Sequence, residues 1–168
     1  MAGKNKVVID KSYLRARNVS RRKTARQRLQ MVEENYRTIF ENTAVAITVA
    51  DENENIVYWN KFAAVLLGMD KDDLYMKPVS SLYPEAEWRE IRSQNVRQKG
   101  MQHHLETRIV RKNQQIIDVD LSLSVLKGPD GKVTGSIGIM ADITERKTAR
   151  QQLQMVEENY RTIFENTA

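Results

Sequence analysis

The order of strand and helix signals in this 168-residue sequence predicts an α+β domain framed by two helices. Two short strand-like segments come first, several short helices follow, and three longer alternating segments close the domain. We therefore expect one five-stranded antiparallel sheet with helices on one face. A duplicated helical segment lies on either side of this domain, so the N-terminal and C-terminal extensions are predicted to be related amphipathic helices.

The first third of the domain predicts a hairpin and a capped helix. Residues 45–50 alternate along the chain, a polar turn follows, and Ile56–Trp59 forms a second short strand. Asn60 is placed to cap the helix Lys61–Leu67, because an Asn side chain accepts a hydrogen bond from a free N–H group of the first turn. Gly68 is placed to end that helix.

One longer helix and three strands are predicted for the rest of the domain. Residues 85–99 predict a single helix that Gly100 ends. Residues 105–110, 117–125 and 133–141 predict the strands. The middle strand alternates strictly between aliphatic side chains and Asp or Ser, which is typical of a strand with one buried and one wet face.

A segment of 23 residues occurs twice in the chain. Residues 22–44 and 146–168 are identical at 22 of the 23 positions, and the exception is Arg28 against Gln152. The offset of 124 residues is too long for a short solenoid repeat and fits a domain joined to its copy by a shared helix. We therefore expect a basic extension over 1–20, a helix over 21–43, the sheet domain over 44–144, and a linker helix over 145–168 that leads into a next domain.

Both copies carry an apolar seam with spacings of three and four residues, surrounded by Arg, Gln and Glu. This spacing is typical of a short coiled coil and favours pairing with a second chain. A single amphipathic helix packed on its own domain would show the same spacing, so that alternative stays open. The seam residues are Ala25, Leu29, Val32, Tyr36 and Ile39 in the first copy and Ala149, Leu153, Val156, Tyr160 and Ile163 in the second.

The net charge of +5 is concentrated at the start of the chain. Residues 1–30 contain ten Lys or Arg and one acid, Asp10. Such an arm would suit nucleic acid or anionic lipid, but a solvated helix face explains the same charges. We expect no nucleic-acid partner. Salt-dependent DNA binding by this arm would instead favour a transcription regulator.

Composition excludes several classes of protein and site. The sequence has no cysteine, which excludes disulfide frameworks, thiolate metal sites and cysteine nucleophiles and suits a reducing cytoplasm. No apolar run approaches the roughly 20 residues that span a bilayer. We therefore expect a cytoplasmic location and no membrane contact in this segment.

No enzyme signature is found in the sequence. It contains neither the G-x-x-x-x-G-K-[ST] phosphate loop nor the G-x-G-x-x-G dinucleotide motif. His103 and His104 are adjacent at a predicted strand start, so we expect their side chains on opposite faces, where they could not act together. The chain is predicted to be no enzyme by itself and to have no metal site.

Four segments resemble the PAS family of sensory domains in their order and spacing. They are Tyr36-Arg-Thr-Ile-Phe-Glu-Asn-Thr43, Val57-Tyr-Trp-Asn-Lys-Phe-Ala-Ala64, Gly131-Lys-Val-Thr-Gly-Ser-Ile-Gly138 and Asp142-Ile-Thr-Glu-Arg-Lys147. The first looks most like multi-PAS sensor histidine kinases of methanogenic archaea or bacteria. The resemblance implies a PAS-like five-stranded antiparallel sheet that senses, dimerises and passes a signal to an output domain.

The last of these segments resembles the exit motif of the family, to which signal transfer is assigned. Asp142 is expected to cap the following helix, with Glu145 three residues on in capping-box spacing. Ile143 is expected to anchor in the core and Thr144 to form hydrogen bonds near the helix start. A small change in the sheet would then alter the geometry of the outgoing helix.

A cavity between the sheet and its helices is the natural place for a small ligand. Family members with a flavin photoadduct or a thioester-bound chromophore use a cysteine, and haem members generally carry an axial His on the long helix; this chain has neither. The ligand is left unknown, with no cofactor as the expectation and a non-covalent flavin still open. The candidate lining residues are Trp59, Phe62, Leu66, Trp88, Leu121, Leu123, Ile137 and Ile139.

The resemblance implies a relay module that forms a homodimer through its flanking helices. Its output would be a histidine kinase of a two-component phosphorelay, next to further PAS or kinase domains of the same protein. Two alternatives stay open. The chain could be a ligand-free structural spacer, or it could be the PAS part of a transcription regulator or of a cyclic-dinucleotide enzyme.

Overall fold

Strands and helices follow one another in the order that the sequence predicts. The computed structural model describes the backbone of residues 11–165 and the side chains of residues 24–164, so the start of the predicted basic extension and the last three residues lie outside the described residues. The chain divides after Phe40 into two separate units. The elements are α1 Lys11–Asn42, β1 Ala46–Asp51, β2 Ile56–Trp59, α2 Lys61–Leu67, α3 Lys71–Leu74, a 3-10 turn Val79–Leu82, α4 Glu85–Ser93, α5 Val96–Lys99, β3 Met101–Val110, β4 Ile116–Lys127, β5 Val133–Asp142 and α6 Thr144–Glu165.

Five antiparallel strands form one sheet in the order β2-β1-β5-β4-β3. β5 lies between β1 and β4 and pairs with both of them. The first hairpin and the last two strands are therefore joined into one continuous surface. All the short helices belong to the connection between β2 and β3, and they cover the core face of this sheet. The predicted α+β fold with a five-stranded antiparallel sheet is confirmed.

The predicted alternation along β4 is confirmed, and it defines the core face of the sheet. Ile117, Val119 and Leu121 are buried, whereas Asp118 and Asp120 between them lie on the opposite face. The three aliphatic side chains belong to the main hydrophobic core. Burial of each one stabilises the fold by about 1.5–3 kcal/mol relative to exposure.

On β5 Gly138 and Met140 face the core, so the expectation for Ile137 and Ile139 was wrong. The register places Gly138 on the core face, opposite Leu123 of β4 and Thr48 of β1. Ile137 and Ile139 point to the other face, and Ile139 is 39% exposed. The core face is already filled there, because even a Cβ on Gly138 would lie 3.1 Å from Thr48 Oγ1.

The single helix predicted over residues 85–99 is two helices. α4 ends at Ser93 and α5 begins at Val96, and Asn95 between them has a φ of 52°. A residue in this left-handed region cannot continue a right-handed helix, and Asn adopts it more readily than most residues. Asn95 was the signal for this break in the sequence.

β3 carries a bulge that the sequence analysis did not predict. His103 and His104 together face one residue of β4, Ser122, because the pairing shifts between Gln102 and Leu105. His104 has a φ of 53°, and a bulge of this kind interrupts the alternation of faces along a strand. The two imidazole rings lie 6.3 Å apart, so the expectation of side chains on opposite faces was wrong.

Asn60 joins the first hairpin to α2. Its Oδ1 accepts the N–H groups of Ala63 at 2.9 Å and Ile47 at 3.0 Å, and its Nδ2 donates to the carbonyl of Val45 at 2.9 Å. These hydrogen bonds satisfy a fully buried side chain. The predicted capping role of Asn60 is confirmed, and Gly68 ends α2 with a left-handed φ of 65°.

Glu87 fastens α4 to β3. Thr107 Oγ1 donates to its Oε2 at 2.9 Å, and Arg108 Nε donates to its Oε1 at 2.8 Å. Burial of Glu87 opposes ionisation, but the hydrogen bonds from Arg108 and Thr107 outweigh it and hold the pKa of Glu87 below its ordinary value. The ionised carboxylate is therefore part of the folded structure.

Gly135→Ala should destabilise the contact between β5 and β1. A Cβ at this position would overlap the carbonyl oxygen of Ala50, which is backbone and cannot turn away. We expect the free energy of unfolding to fall by about 2–3 kcal/mol, measured by urea denaturation. Thr134→Ala, on the exposed side of the same strand, is the control and should change it by no more than about 0.5 kcal/mol. Equal stability of the two variants would show that the backbones are not closely packed here.

Glu87→Gln should lower stability at neutral pH more than at acidic pH. Since the pKa of Glu87 is lowered on folding, its contribution is present above the unfolded pKa of about 4.3 and is lost as the pH falls through the folded value. We expect a loss of about 1 kcal/mol at pH 7 and little difference from the wild type near pH 3. Urea unfolding at both pH values measures this, with the exposed Glu90→Gln as control. The same loss at both pH values would exclude the ionised group as its cause.

Candidate functional site

A cavity lies between the sheet and the helices α4 and α5. Its volume is about 310 Å³, at the lower end of the range for small-molecule pockets. β4 and β5 contribute one wall, α4 and α5 contribute another, and the turn between β1 and β2 borders the rim. The apolar lining residues are Val79, Tyr83, Trp88, Ile91, Val96, Leu123, Val125 and Val133.

Two of the eight predicted lining residues, Trp88 and Leu123, lie in the wall of this cavity. Leu66 and Leu121 are instead buried in the hydrophobic core, and Trp59 packs against that core. These three side chains therefore contribute to the hydrophobic core and do not line the cavity. The cavity therefore lies closer to α4 and α5 than the sequence analysis predicted.

The remaining three predicted lining residues lie away from the cavity. Phe62 is on the outer side of α2, where it borders a second, open pocket with Val65. Ile137 and Ile139 lie on the face of the sheet opposite the helices. An apolar side chain on a strand indicates burial but does not say on which face, and this is the reason for the misplacement.

Three charged residues at the rim of the cavity were missed by the sequence analysis. Arg92 Nη1 and Arg97 Nη2 both contact Glu54 Oε1, at 2.5 Å and 2.8 Å. Arg97 Nη2 also donates to the carbonyl of Glu52 at 3.4 Å. These contacts fasten the turn between β1 and β2 to α4 and α5. Because 38 and 43 residues separate the partners of the ion pairs, no local pattern could have revealed them.

An aromatic pair forms the inner part of the cavity. The rings of Tyr83 and Trp88 stack with their centroids 5.7 Å apart at 28°, and the guanidinium group of Arg92 lies 5.8 Å from the Trp88 ring centroid. Burial raises the pKa of Tyr83 far above its ordinary value. The phenol is therefore neutral at physiological pH and able to donate a hydrogen bond.

Asp142 ends β5, and α6 begins two residues later. Asp142 Oδ1 accepts the N–H of Thr144 at 2.9 Å, close to its expected role. The residue at the N-cap position is Ile143, because its carbonyl accepts the N–H of Lys147 at 2.9 Å. Glu145 is consequently the second helical residue, and the capping box, which needs the third, is not met.

Asp118 of β4 holds the exit motif to the sheet, and the sequence analysis missed it. Its carbonyl accepts the N–H of Ile143 at 3.0 Å, and its own N–H donates to Thr144 Oγ1 at 3.2 Å. Its Oδ1 accepts Lys147 Nζ at 2.8 Å. Ile143 is buried, as expected. The signal in the sequence was an acidic residue on the wet face of a strand, which is too common to single out.

Charge reinforces this anchor. The hydrogen bond from Lys147 to Asp118 raises the pKa of Lys147 above its ordinary value against the effect of burial, and Glu106 of β3 adds to it at 3.3 Å. Arg146 lies 4.0 Å from the same Glu106. The first turn of α6 is thus joined to β3 and β4 by charged contacts.

Both apolar seams are exposed to solvent. The larger seam side chains are 62% to 69% exposed in α1 and 48% to 62% exposed in α6. This is unusual for aliphatic and aromatic residues at coiled-coil spacing. The residues are Leu29, Val32, Tyr36 and Ile39 in α1 and Leu153, Val156, Tyr160 and Ile163 in α6, with Ala25 and Ala149 exposed beside them.

The two histidines form no larger site with their neighbours. His104 Nδ1 lies 2.9 Å from Asp120 Oδ2 at the surface. Across the residues that the structure describes, no group of three or more His, Cys, Asp or Glu side chains is arranged to hold a metal ion. Over the same residues, no helix has the length and apolar character needed to span a bilayer.

Comparisons with known proteins agree with this architecture. The family model of the PAS fold matches residues 34–143. The PAS domain of a protein from Colwellia psychrerythraea has 26% sequence identity and a TM-score of 0.63, over 68% of this chain and 98% of that one. A search of curated proteins found no match.

Two further solved structures are similar in fold. A PAS domain from a two-component sensor histidine kinase has 15% identity and a TM-score of 0.58, over 67% of this chain and 97% of that one. The PAS domain of a LuxR-family transcriptional regulator from Burkholderia thailandensis, solved in complex with ethanol, has 16% identity and a TM-score of 0.54, over 64% and 96%. At these identities the likeness shows the fold alone.

The family model covers the sheet, the short helices and the first two residues of the exit motif. Within that range the sheet order and the short helices between β2 and β3 agree with what the sequence resemblance implies, and α6 begins at the residue that follows it. The chain therefore belongs to the PAS family of sensory domains.

Proposed function

We propose that this chain relays a conformational signal from its cavity through α6 to an output domain. The observation that carries the proposal is the set of contacts between Asp118 and the exit motif. β4 contributes Leu123 to the cavity wall and Asp118 to the root of α6. A single strand therefore links the place where a ligand would act with the helix that would respond.

The relay works by a small displacement rather than by unfolding. β4 is paired on both sides, with β3 and with β5, so it moves as part of the sheet. A change in the cavity that tilts β4 shifts the acceptor and donor groups of Asp118. Because these groups fix the first turn of α6, the helix changes its direction or rotation, which is a two-state element of the kind that signalling domains use.

In a homodimer formed through the flanking helices, this motion changes the contact between the two chains. The exposed seam of α6 supplies apolar side chains at a/d spacing, and the duplicated seam in α1 supplies a second contact. In a two-fold dimer, two copies of α6 lie side by side. A rotation of each helix then changes the packing between them, which an adjacent domain could detect.

The output domain is proposed to be a histidine kinase, with further PAS or kinase domains adjacent in the same protein. A structural relative is a PAS domain from a two-component sensor histidine kinase, and the segment after the exit motif repeats the segment that precedes the domain. A transcription regulator is the second candidate, because another relative belongs to a LuxR-family regulator.

Filling the cavity should change the geometry of α6, and Asp118→Ala should reduce the change, because it removes the ion pair with Lys147 and leaves the backbone hydrogen bonds of residue 118 in place. Val125→Phe places a larger side chain in the cavity wall. A spin label on a cysteine introduced at Arg150 reports the distance between the two α6 helices of the dimer, since the chain has no other cysteine. We expect Val125→Phe to shift this distance by about 1–2 Å, a typical helix displacement.

Asp120→Ala is the matched control, because Asp120 lies on the same face of β4 but contacts His104 rather than α6. The shift should persist in full in that background and be smaller with Asp118→Ala. If Val125→Phe produced no shift in the otherwise unchanged chain, the spacer alternative would be favoured. A shift of the same size with Asp118→Ala would exclude the carboxylate of Asp118 as part of the link.

Leu153→Glu should dissociate the homodimer. It places a charge in the apolar seam while keeping a good helix-forming residue. We expect the dimer dissociation constant to rise at least about tenfold, measured by analytical ultracentrifugation. Gln151→Glu adds the same charge outside the seam and should leave the constant nearly unchanged. Equal effects of the two substitutions, or a monomeric wild-type chain, would contradict pairing through this seam.

A further inference from the structure

The segment Glu41–Ala44, which precedes β1, is held against α2. The carboxylate of Glu41 accepts the N–H of Lys61 through Oε2 at 3.0 Å. Together with Lys61, Phe62 and Val65, the segment borders the open pocket on the outer side of α2. The structure therefore shows how the four-residue sequence Glu-Asn-Thr-Ala contacts the sheet domain.

The same four residues occur again at the other end of the duplicated segment. Glu165–Ala168 repeats Glu-Asn-Thr-Ala, within two copies that are identical at 22 of 23 positions. We call Glu41–Ala44 the resident copy and Glu165–Ala168 the second copy. A surface that binds the resident copy offers the second copy the same donor and the same apolar contacts. Exchange of identical elements between chains is a low-cost route to assembly.

The second copy is too far from this site to bind it in its own chain. The register pairs Ala46 with Met140, so the beginning of β1 lies beside the end of β5, close to the root of α6. α6 has 22 residues and is therefore about 33 Å long. From Thr148 onward, each α6 side chain that the structure describes is exposed. The far end of α6, at Glu165, can therefore reach such a site only on another chain.

The two copies of the duplicated segment differ in burial although their sequences agree. Phe40 and Glu41 are partly buried, whereas Phe164, the counterpart of Phe40, is 74% exposed. Removal of an aromatic side chain from water is favourable. The end of α6 therefore has apolar surface still to bury, next to the residues that repeat the resident copy.

We propose that the second copy of one chain binds the sheet domain of another copy of this chain, at the site of its resident copy. The carboxylate of Glu165 then accepts the N–H of Lys61, and the incoming segment borders Phe62 and Val65. The resident copy leaves the site. The resident and exchanged states contain the same contacts and differ in which chain supplies them. This proposal concerns assembly and does not rest on the relay through Asp118.

The tether of the resident copy decides how often exchange occurs. A group joined to its site by a short linker competes at an effective concentration in the millimolar range. The second copy of a separate chain has the same chemistry but only the concentration of the protein. Exchange is therefore a minor state in dilute solution, and it increases with protein concentration and with any change that weakens the resident copy.

Cross-linking of the full 168-residue chain tests the proposal, because the sequence has no cysteine of its own. Val65→Cys marks the site and Ala168→Cys marks the second copy. The reagent is the shortest bifunctional maleimide that joins Val65→Cys to Ala44→Cys within one chain, so its reach matches the occupied site. Mass spectrometry measures the linked peptide pair 65–168 in chains that carry Val65→Cys and Ala168→Cys.

The expected yield of this pair, at about 0.5 mM protein, is at least about threefold above that of the pair 65–150 in chains with Val65→Cys and Arg150→Cys. Arg150 lies on the exposed part of α6, so the pair 65–150 measures random collision. A yield no higher than this background would overturn the proposal.

Two glutamate substitutions change the occupants and leave the site intact. Glu41→Ala weakens the resident copy and should raise the 65–168 yield about three- to tenfold, because one hydrogen bond is lost. Glu165→Ala weakens the second copy and should lower the yield by a similar factor. With both substitutions the two copies are matched again, and the yield should return to within about twofold of the original. A yield that does not follow this pattern would contradict exchange at this site.

Glu157→Ala is the matched control, because Glu157 is an exposed glutamate of α6 outside the second copy. It should leave the yield of the 65–168 pair unchanged, and a change as large as that of Glu165→Ala would contradict the assigned contact. Circular dichroism verifies that each variant is folded. A negative result removes the exchange alone, since the relay is tested by Val125→Phe and the seam by Leu153→Glu.

Discussion

The attachment of α6 to Asp118 is the contact on which the behaviour of this domain depends. The backbone of Asp118 both donates to and accepts from the exit motif, and its carboxylate binds Lys147. One residue thereby fixes the position, the direction and the charge environment of the first helical turn. Since Val119 beside it is fully buried, the strand that carries this anchor is held in the core.

β4 joins two sites that are otherwise distant in the fold. Leu123 and Val125 line the cavity, and Asp118 lies five residues earlier, about 17 Å along an extended strand. The strand alternates its faces, so its aliphatic side chains meet the cavity and the core while its aspartates meet the exit motif and β3. The pattern of one strand therefore supplies both a part of the cavity wall and the contact with α6.

Local chemistry could be predicted from the sequence, and contacts across the fold could not. The predictions of a capping role for Asn60 and of alternating buried and exposed residues along β4 were correct, because helix caps and half-buried strands are set by neighbours in the chain. The predicted orientation of Ile137 was wrong, because packing against the neighbouring strands decides which face of β5 points into the core. Asp118 and the rim of Glu54 and its arginines were missed for the same reason. Their roles arise only when distant segments meet, as with the ion pairs that span 38 and 43 residues.

The duplication of the helical segment leaves the two ends of the chain chemically alike. Every seam residue of α1 has an identical counterpart in α6, so the seam residues alone do not distinguish α1 from α6 as a binding partner. Pairing of the same helix from two chains, such as α6 with α6, closes into a finite dimer. Pairing of α6 with α1 of the next chain leaves a free seam at each end and can continue into a polymer. If the proposed seams pair, the sheet domain decides between a discrete assembly and a polymer, because its shape limits which helices can approach each other.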